Sequence, residues 1–228
     1  MARRNKLTKF SEILSFRNVV ENFDPANDVL EIDADTPVNL VGKWCESFFE
    51  QPLPLVLELA CGRGEYSLAL ARNDKSNNFL GVDIKGARIW KGAKIALTEN
   101  LTNVGFLRCK IEKINSFFAE DEVSEIWITF PDPFLAKENR RLTAPSFLDR
   151  YKKLLKKGGL IHLKTDDETL YNFTLEVLDT YPGAKVLYHN NDIYADNLAY
   201  DVLEHKTYYE MVHLGNGKAI KYIRFTIN

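Results

Sequence analysis

The sequence predicts an α/β fold with a doubly wound, mostly parallel sheet, on three observations. Short apolar runs alternate with amphipathic stretches from residue 54 onward. The runs are rich in β-branched and aromatic residues and end at Gly, Asp or Pro, as buried parallel strands do. The connections between them are short, which is typical of strand–helix units with right-handed crossovers.

The elements follow in order along the chain. The buried strands are predicted at 55–59, 79–83, 104–109, 125–130 and 160–163. The helices are predicted at 65–72, 86–100, 111–118, 145–157 and 167–180. The alternating run 220–225 follows the turn Gly215-Asn216-Gly217 and predicts a last strand added antiparallel. Residues 1–40 show no clear sheet pattern, so we expect an N-terminal arm and lead-in segment there and the main domain at 41–228.

Composition excludes several classes of protein. A chain of 228 residues with 45% hydrophobic content predicts one compact domain. No window approaches eighteen consecutive apolar residues, so no membrane segment is expected, and the basic start lacks the apolar run of a secretory signal. The three cysteines Cys45, Cys61 and Cys109 are widely spaced. They indicate neither disulfides nor a zinc site, so we expect no metal and a cytoplasmic location.

The net charge of −2 hides a segregation of charge along the chain. Windows 1–17, 85–94 and 137–157 together hold 17 of the 30 basic residues and 3 of the 32 acids. A protein that binds phosphates needs a local positive surface rather than a positive total. Solvated helix faces explain the same pattern, so charge alone leaves nucleic-acid binding open.

A glycine turn closes the first buried strand and opens a helix. Gly62 and Gly64 allow tight backbone geometry and let a ligand lie against the main chain. The third glycine of the dinucleotide fingerprint is replaced by Ser67, which weakens a pyrophosphate site. Glu58 is an acid within an apolar strand, so we expect it to meet a cationic or hydrogen-bonding partner, such as a ligand with an α-amino group and a sulfonium.

Asp83 ends the second strand, where doubly wound folds place an acid that accepts hydrogen bonds from ribose hydroxyls. Its alternative role is the N-cap of the following helix. The neighbouring Glu58 and the two glycines favour the ribose role.

The fourth strand ends at Pro131-Asp132-Pro133-Phe134. In open α/β sheets the carboxyl ends of strands carry the chemistry. A carboxylate that accepts N–H donors beside a ring that stacks is suited to holding a planar base. In isolation the motif favours a rigid turn with a surface acid; the motifs that follow it change that interpretation.

Further motifs lie at 137–143, 158–166 and 207–210. In order and spacing, the set resembles the bacterial tRNA (guanine-N7-)-methyltransferase family. The marks of that family are an acid-leading glycine turn, Pro-Asp-Pro-Trp with a Lys/Arg-Arg-Leu stretch, a Gly-Gly…His-x-Lys/Ala-Thr-Asp strand and a late Thr-x-Tyr/Phe-Glu. The resemblance covers residues 54–227, and four motifs in one order make chance agreement unlikely.

The resemblance implies a seven-stranded S-adenosylmethionine-dependent methyltransferase fold that methylates N7 of a guanine in the variable loop of tRNA. S-adenosylmethionine would be the cofactor and S-adenosylhomocysteine the product. Carried over position by position, the cofactor would meet Glu58, Gly62, Gly64 and Asp83. Asp132 would be the catalytic acid, and the substrate contacts would be Lys137, Asp166, Thr207 and Glu210.

The chain departs from the family pattern at three places. Phe134 replaces the usual Trp, and the basic loop around Lys137 is about two residues shorter. The third-strand acid expected near the adenine falls on Lys110, so that contact stays unassigned. Asp132 and Glu210 would select guanine by accepting from N1–H and N2–H₂. Phosphates would be held by Arg3, Arg4, Lys6, Lys9 and the 137–157 window, including Arg140 and Arg141.

Three alternatives stay open on sequence alone. A methyltransferase of small molecules would share the cofactor half and make the basic windows incidental. A nicotinamide oxidoreductase is disfavoured by Ser67 and Glu58. An inactive RNA-binding relative is disfavoured by the intact Asp132, Asp166 and Glu210. The sequence leaves the oligomeric state, monomer or homodimer, undetermined.

Overall fold

The structure, a computed structural model, describes residues 6–33 and 35–228. The chain divides into two compact units, and the boundary falls between Ala119 and Glu120. We call them the N-terminal unit and the C-terminal unit. In the described part of the chain, no helix is long and apolar enough to cross a membrane.

Six strands form the sheet of the N-terminal unit, in the order β3-β2-β1-β6-β5-β4. They are β1 (Val19–Glu21), β2 (Leu30–Ile32), β3 (Thr36–Val38), β4 (Leu55–Leu59), β5 (Asn78–Asp83) and β6 (Val104–Arg108). β4, β5 and β6 run parallel, and every residue of β4 and β5 is buried, as the apolar runs predict. Their registers place Glu58 beside Gly81 and Asp83 beside Arg108.

The three short strands β1, β2 and β3 correct the expectation for residues 1–40. β1 pairs parallel with β6, β2 pairs antiparallel with β1, and β3 pairs antiparallel with β2. A strand of three residues is too short to show alternation, which is why the sequence predicted no sheet there. The proposed domain boundary at residue 40 stays a prediction.

Three α-helices accompany this sheet: α1 (Lys6–Ile13), α2 (Glu65–Asn73) and α3 (Gly86–Thr98). α2 follows β4 and α3 follows β5, as the strand–helix alternation predicts. α1 packs on α3, where the indole nitrogen of Trp90 donates to Glu12 Oε2 at 2.9 Å. A short 3-10 helix (Ile111–Ser116) replaces the helix expected at 111–118, and a π-helical turn covers Trp44–Phe48.

The C-terminal unit has four strands in the order β7-β8-β10-β9. They are β7 (Val123–Thr129), β8 (Leu155–Thr165), β9 (Ala184–Asn190) and β10 (Lys221–Ile227). β7 and β8 are parallel, whereas β10 is antiparallel to both β8 and β9. The prediction that the last strand joins antiparallel is therefore confirmed. Strands β4 to β10 supply the seven predicted strands, and β1 to β3 are additional.

Its helices are α4 (Pro145–Leu154), α5 (Glu168–Thr180) and α6 (Tyr208–Gly215), with short 3-10 helices at Glu138–Arg140 and Asp201–Glu204. α4 begins at Pro145, whose missing N–H costs nothing in a first turn. α4 ends at Leu154, three residues before its predicted end, because β8 starts at Leu155. The Asp167 side chain caps α5 by accepting from Leu170 N at 2.7 Å.

A buried aromatic cluster lies across the strands of this unit. The His162 ring stacks on Trp127 with centroids 3.9 Å apart, and His162 Nδ1 lies 2.7 Å from the Tyr222 hydroxyl. On its other side, His162 Nε2 lies 3.3 Å from Glu125 Oε1. Burial lowers the pKa of His162, and the Glu125 carboxylate offsets only part of that effect.

We expect acid to destabilise the protein through His162. The folded state binds a proton there more weakly than the unfolded chain, so this contribution is complete above about pH 6.5 and is lost as the pH falls toward the lowered pKa of the folded state. Urea denaturation at several pH values between 7.5 and 5.5 measures the loss. His162→Phe keeps a ring against Trp127 but cannot titrate, so its unfolding free energy should change less over that range. Parallel curves for the two proteins would contradict the assignment.

Candidate active site

The glycine turn between β4 and α2 has unusual backbone geometry. Gly62 and Gly64 have φ of +57° and +66°, a region that glycine enters without steric cost. Ala60 also has a positive φ of +58°, which is strained for a residue with a Cβ. A Cβ on Gly62 would meet nothing within 4 Å, so its backbone is open to close approach by a ligand.

Gly64 has a second reason to lack a side chain. A Cβ there would lie 2.4 Å from Cε1 of Phe106, whose ring is fully buried. A Cβ on Gly81 of β5 or on Gly92 of α3 would meet the same ring, at 2.9 and 2.8 Å from its nearest atoms. Three glycines therefore leave the space that this ring fills beneath the turn.

Glu58 has the partner that its place in an apolar strand requires. Its Oε2 accepts from the Ser67 backbone N at 2.8 Å and from the Ser67 hydroxyl at 2.5 Å. Ser67 is the residue that breaks the dinucleotide fingerprint, and its hydroxyl supplies a donor that a glycine could not. Sequence reasoning noted this residue only as a departure and missed its role.

Asp83 joins two segments of the turn region. Its Oδ2 accepts from Gly62 N at 2.9 Å and its Oδ1 accepts from Lys85 N at 2.8 Å. α3 begins at Gly86 with Lys85 as its N-cap, so Asp83 is not the N-cap residue. A carboxylate has about four acceptor sites, which leaves capacity for ribose hydroxyls. That contact stays a prediction.

Two of the three cysteines, Cys61 and Cys109, are buried. Burial, with the nearby carboxylates of Glu58 and Asp83, raises the pKa of the Cys61 thiol. Burial likewise raises the pKa of the Cys109 thiol. Thiols held in the protonated state are poor nucleophiles.

In the C-terminal unit, the Pro131-Asp132-Pro133 turn lies between two residues with positive φ. Phe130 has φ of +48° and Phe134 has φ of +42°, strained values for aromatic residues. Asp132 is exposed, and its Oδ1 accepts from Phe134 N at 3.0 Å. The guanidinium of Arg140 lies 4.9 Å from the centre of the Phe134 ring, and Lys137 is exposed.

Arg141 is a correction to the sequence interpretation. Its side chain is 1% exposed and cannot hold a phosphate at the surface. Its Nε donates to Pro133 O at 2.9 Å, its Nη1 lies 3.2 Å from Glu138 Oε1, and its guanidinium lies 4.4 Å from the Phe173 ring centre. Arg141 therefore supports the turn that carries Asp132.

Asp166, directly after β8, lies in a cluster that the sequence did not predict. Its Oδ2 is 2.5 Å from Lys218 Nζ and 3.3 Å from His213 Nδ1. The His213 ring stacks on Phe130 with centroids 6.0 Å apart and planes 19° apart. The cluster therefore brings together the end of β7, the end of β8 and the helix α6.

Thr207 and Glu210 form the capping box of α6. The Thr207 hydroxyl accepts from Glu210 N at 3.2 Å, and Glu210 Oε2 accepts from Thr207 N at 3.4 Å. The motif Thr-x-x-Glu could have predicted this helix start, but the sequence reading treated it only as a family mark. The Glu210 side chain is 0% exposed, and its substrate contact stays a prediction.

The basic windows differ in how their charges are compensated. Arg3, Arg4 and the side chain of Lys6 lie outside the described residues. On α3 and its start, a stripe at spacing three faces outward, which we call the α3 stripe: Lys85, Arg88, Lys91 and Lys94. Lys91 and Lys94 have distant acidic partners at 3.9 and 3.8 Å, and no ion pair of Lys85 or Arg88 occurs within residues 6–33 and 35–228.

The 137–157 window also brings cations close to acids. Lys152 and Lys153 line a surface groove together with Glu120, Asp121 and Asp149. The Lys152 ammonium also donates to the backbone oxygen of Asn228. The sequence window of the α3 stripe contains no acid, whereas the 137–157 window contains Glu138 and Asp149.

Comparisons with known proteins agree with this geometry. A family profile described as "Putative methyltransferase" matches residues 52–222. The tRNA (guanine-N(7)-)-methyltransferase of Christiangramia forsetii is 48% identical over 230 residues, and the match covers 100% of both chains. The enzyme of the same name from Bacteroides fragilis is 45% identical, over 98% of this chain and 86% of the relative.

A solved structure gives the fold. The 16S rRNA methyltransferase KamB superposes with a TM-score of 0.62 at 15% identity, over 85% of this chain and 97% of that one. This likeness, with the mostly parallel sheet, confirms the predicted α/β fold class of S-adenosylmethionine-dependent methyltransferases.

We expect Gly64→Ala to destabilise the protein more than Gly62→Ala. Both positions have positive φ, which costs a residue with a Cβ about 1–2 kcal/mol. Only Gly64→Ala also drives a Cβ into the buried Phe106 ring, and such overpacking costs a further ~1–3 kcal/mol. Urea denaturation of the two variants measures the difference. Equal losses would show that the ring yields without cost.

Proposed function

The chain belongs to the tRNA (guanine-N(7)-)-methyltransferase family, and we propose that it transfers a methyl group from S-adenosylmethionine to N7 of a guanine in the variable loop of tRNA. The observation that carries the proposal is the 48% identity to a relative of that name along the whole of both chains. A match of that extent spans the glycine turn of the N-terminal unit and the acidic motifs of the C-terminal unit alike. A tRNA substrate indicates the cytoplasm as the compartment.

The residues of the glycine turn fit S-adenosylmethionine. Gly62 offers an open backbone, and Asp83 holds that backbone while keeping acceptor sites for ribose hydroxyls. Glu58 places a carboxylate near the end of β4, just before the turn, which suits a ligand with an α-amino group and a sulfonium. When bound, the sulfonium supplies the methyl group. In this proposal Glu58, Gly62, Gly64 and Asp83 bind and orient the cofactor.

The reaction makes modest chemical demands on the protein. Guanine N7 has an in-plane lone pair, so no general base is needed to create the nucleophile. Positive charge leaves the sulfonium and appears on the imidazole ring of the base. The enzyme must align the two groups and keep a carboxylate near the moving charge.

Asp132 is suited both to aligning the guanine and to keeping a carboxylate near the moving charge. It is exposed, and one oxygen is used by Phe134 N, so its orientation is fixed while acceptor capacity remains. Accepting from guanine N1–H and N2–H₂ would reject adenine, which lacks that donor pattern. We assign Asp132 as the catalytic acid and Asp166 and Lys137 as substrate contacts.

The α3 stripe is the surface that we propose for the tRNA backbone. It presents four cations at a spacing of three residues, with no acid between Lys85 and Lys94. Trp90 lies within the stripe, with Lys9 Nζ and Lys94 Nζ at 4.9 and 5.1 Å from its ring centre. Phosphate contacts of this kind position the nucleic acid without reading its sequence.

Incubation of the protein with a tRNA transcript and S-adenosylmethionine tests the function directly. Mass spectrometry of the nucleosides should show 7-methylguanosine, and mass spectrometry of nuclease fragments should place it in the variable loop. Methylation elsewhere in the tRNA would contradict the position. Turnover of small molecules without RNA, and none with tRNA, would contradict the function.

We expect Asp132→Asn to slow methyl transfer about a hundredfold, because a charge-assisted hydrogen bond aimed at the transition state contributes on the order of 3 kcal/mol. An asparagine oxygen can still accept from Phe134 N, so the turn should keep its shape. Single-turnover transfer to saturating tRNA gives the rate, and calorimetry should show cofactor affinity largely unchanged.

Asp179→Asn, which removes an exposed acid from the last turn of α5, is the control for loss of one negative charge. A rate for Asp132→Asn above about a third of wild type, under ~1 kcal/mol of barrier, would remove Asp132 from the catalytic role.

A charge-matched pair of variants tests the α3 stripe. Lys85→Ala with Arg88→Ala should lower the slope of log affinity for tRNA against log salt by about 2, one unit for each lost phosphate contact. Lys152→Ala with Lys153→Ala removes the same charge from a groove shared with three acids and should change the slope little. Filter binding at four salt concentrations measures both. A larger change in the second variant would assign the phosphate surface to the 137–157 window instead.

A further inference from the structure

A fully buried lysine connects β8 to the segment that leads into α6. Lys164 Nζ lies 3.1 Å from Leu203 O, 3.1 Å from His205 O and 2.7 Å from Glu210 Oε1. An ammonium has three N–H donors, and here each has an acceptor in the 203–210 segment. Burial lowers the pKa of Lys164, and the Glu210 carboxylate opposes that effect.

The carboxylate of Glu210 is committed to protein partners. Its Oε1 also accepts from the Tyr194 hydroxyl at 2.7 Å, and its Oε2 accepts from Thr207 N at 3.4 Å. The side chains of both Lys164 and Glu210 are 0% exposed. A guanine edge could reach this carboxylate only if the groups that bury it moved.

α6 transmits the position of this pair to the acids of the C-terminal unit. His213 follows Glu210 by three residues, which makes them neighbours on the helix surface. His213 Nδ1 lies 3.3 Å from Asp166 Oδ2, and its ring stacks on Phe130. Phe130 directly precedes the Pro131-Asp132-Pro133 turn. The location of α6 therefore bears on Asp166 and on the strained end of β7.

We propose that Lys164 and Glu210 are positioning residues for the methyl transfer, which act through α6 and His213 and do not touch the guanine. This replaces a direct guanine contact of Glu210 and rests on the proposed function. The physical basis is the cost of breaking the pair. A buried ion pair that loses one partner leaves an uncompensated charge, whereas loss of both partners together is often tolerated.

Three variants separate positioning from contact: Lys164→Met, Glu210→Gln and the double variant. Each single variant should lower kcat/KM for tRNA at least about tenfold, because each leaves one buried charge without its partner. Cofactor affinity, measured by calorimetry with S-adenosylhomocysteine, should stay within about twofold, since the proposed function assigns cofactor binding to Glu58, Gly62, Gly64 and Asp83. The double variant should recover to within about fivefold of wild type, because no buried charge is left unpaired.

A direct contact gives a different pattern. If Glu210 binds guanine, Glu210→Gln and the double variant are equally impaired, and Lys164→Met keeps its activity if it keeps its fold. The proposal is overturned if Glu210→Gln and the double variant are equally impaired, or if a folded Lys164→Met keeps its activity. Wild-type protein in the same assay must form 7-methylguanosine, and its failure to do so would count against the proposed function rather than against the role of this pair.

Tyr194→Phe covers the case in which the single variants do not fold. It removes one donor to Glu210 and leaves both charges paired, so the transfer rate should fall about threefold to tenfold without a change in cofactor affinity. In that case the double variant and Tyr194→Phe together test the positioning role. A double variant that binds the cofactor like wild type but transfers no methyl group overturns the proposal, as does an unchanged rate for Tyr194→Phe.

Discussion

A carboxylate taken out of water must receive hydrogen-bond donors or a cation, and this requirement organises the residues around both halves of the chemistry. Glu58, Asp83 and Glu210 are all buried. Ser67 donates to Glu58, the backbone of the glycine turn donates to Asp83, and Lys164 donates to Glu210. Each of these bonds ties the end of a strand to the beginning of a helix or to the turn before it. The hydrogen bonds that offset the cost of burying these carboxylates therefore also fix the local backbone.

The strands and helices of 54–227 could be predicted because their signals are local. Apolar runs such as 55–59 and 79–83 are buried along their whole length, and one sequence window contains all the information. β1 to β3 could not be predicted in this way. These three-residue strands depend on pairing with β6 and with one another, and such pairing leaves no local pattern in the sequence. α6 was also missed. Its exposed face carries Tyr208, Tyr209 and Met211, so the helix has no clear polar side.

The acids of the candidate site could be selected from the sequence, but their partners could not. Glu58 was expected to meet a donor, yet only the structure identifies Ser67, nine residues further on. In the sequence, Arg141 and its neighbour Arg140 are alike members of a basic window. In the structure Arg141 is buried against the Pro131-Asp132-Pro133 turn, whereas Arg140 is exposed. Residue type and spacing indicate which side chains are chemically capable. The direction in which each one points depends on tertiary packing, which a single sequence does not contain.

The solvent exposure of each acidic side chain limits the role that it can have. Asp132 is exposed and keeps one anchoring hydrogen bond, so water at its other acceptor sites can exchange for the edge of a base. Asp166 is 14% exposed and paired with Lys218 and His213, so a base that binds it must compete with the Lys218 ammonium and the His213 ring. Glu210 is 0% exposed and has no water to exchange. An acid that selects a base has to desolvate at the moment of binding, whereas an acid that positions a helix is desolvated once, during folding. By that criterion we propose Asp132 for recognition and catalysis, Glu210 for the scaffold, and Asp166 as the link between the two through α6.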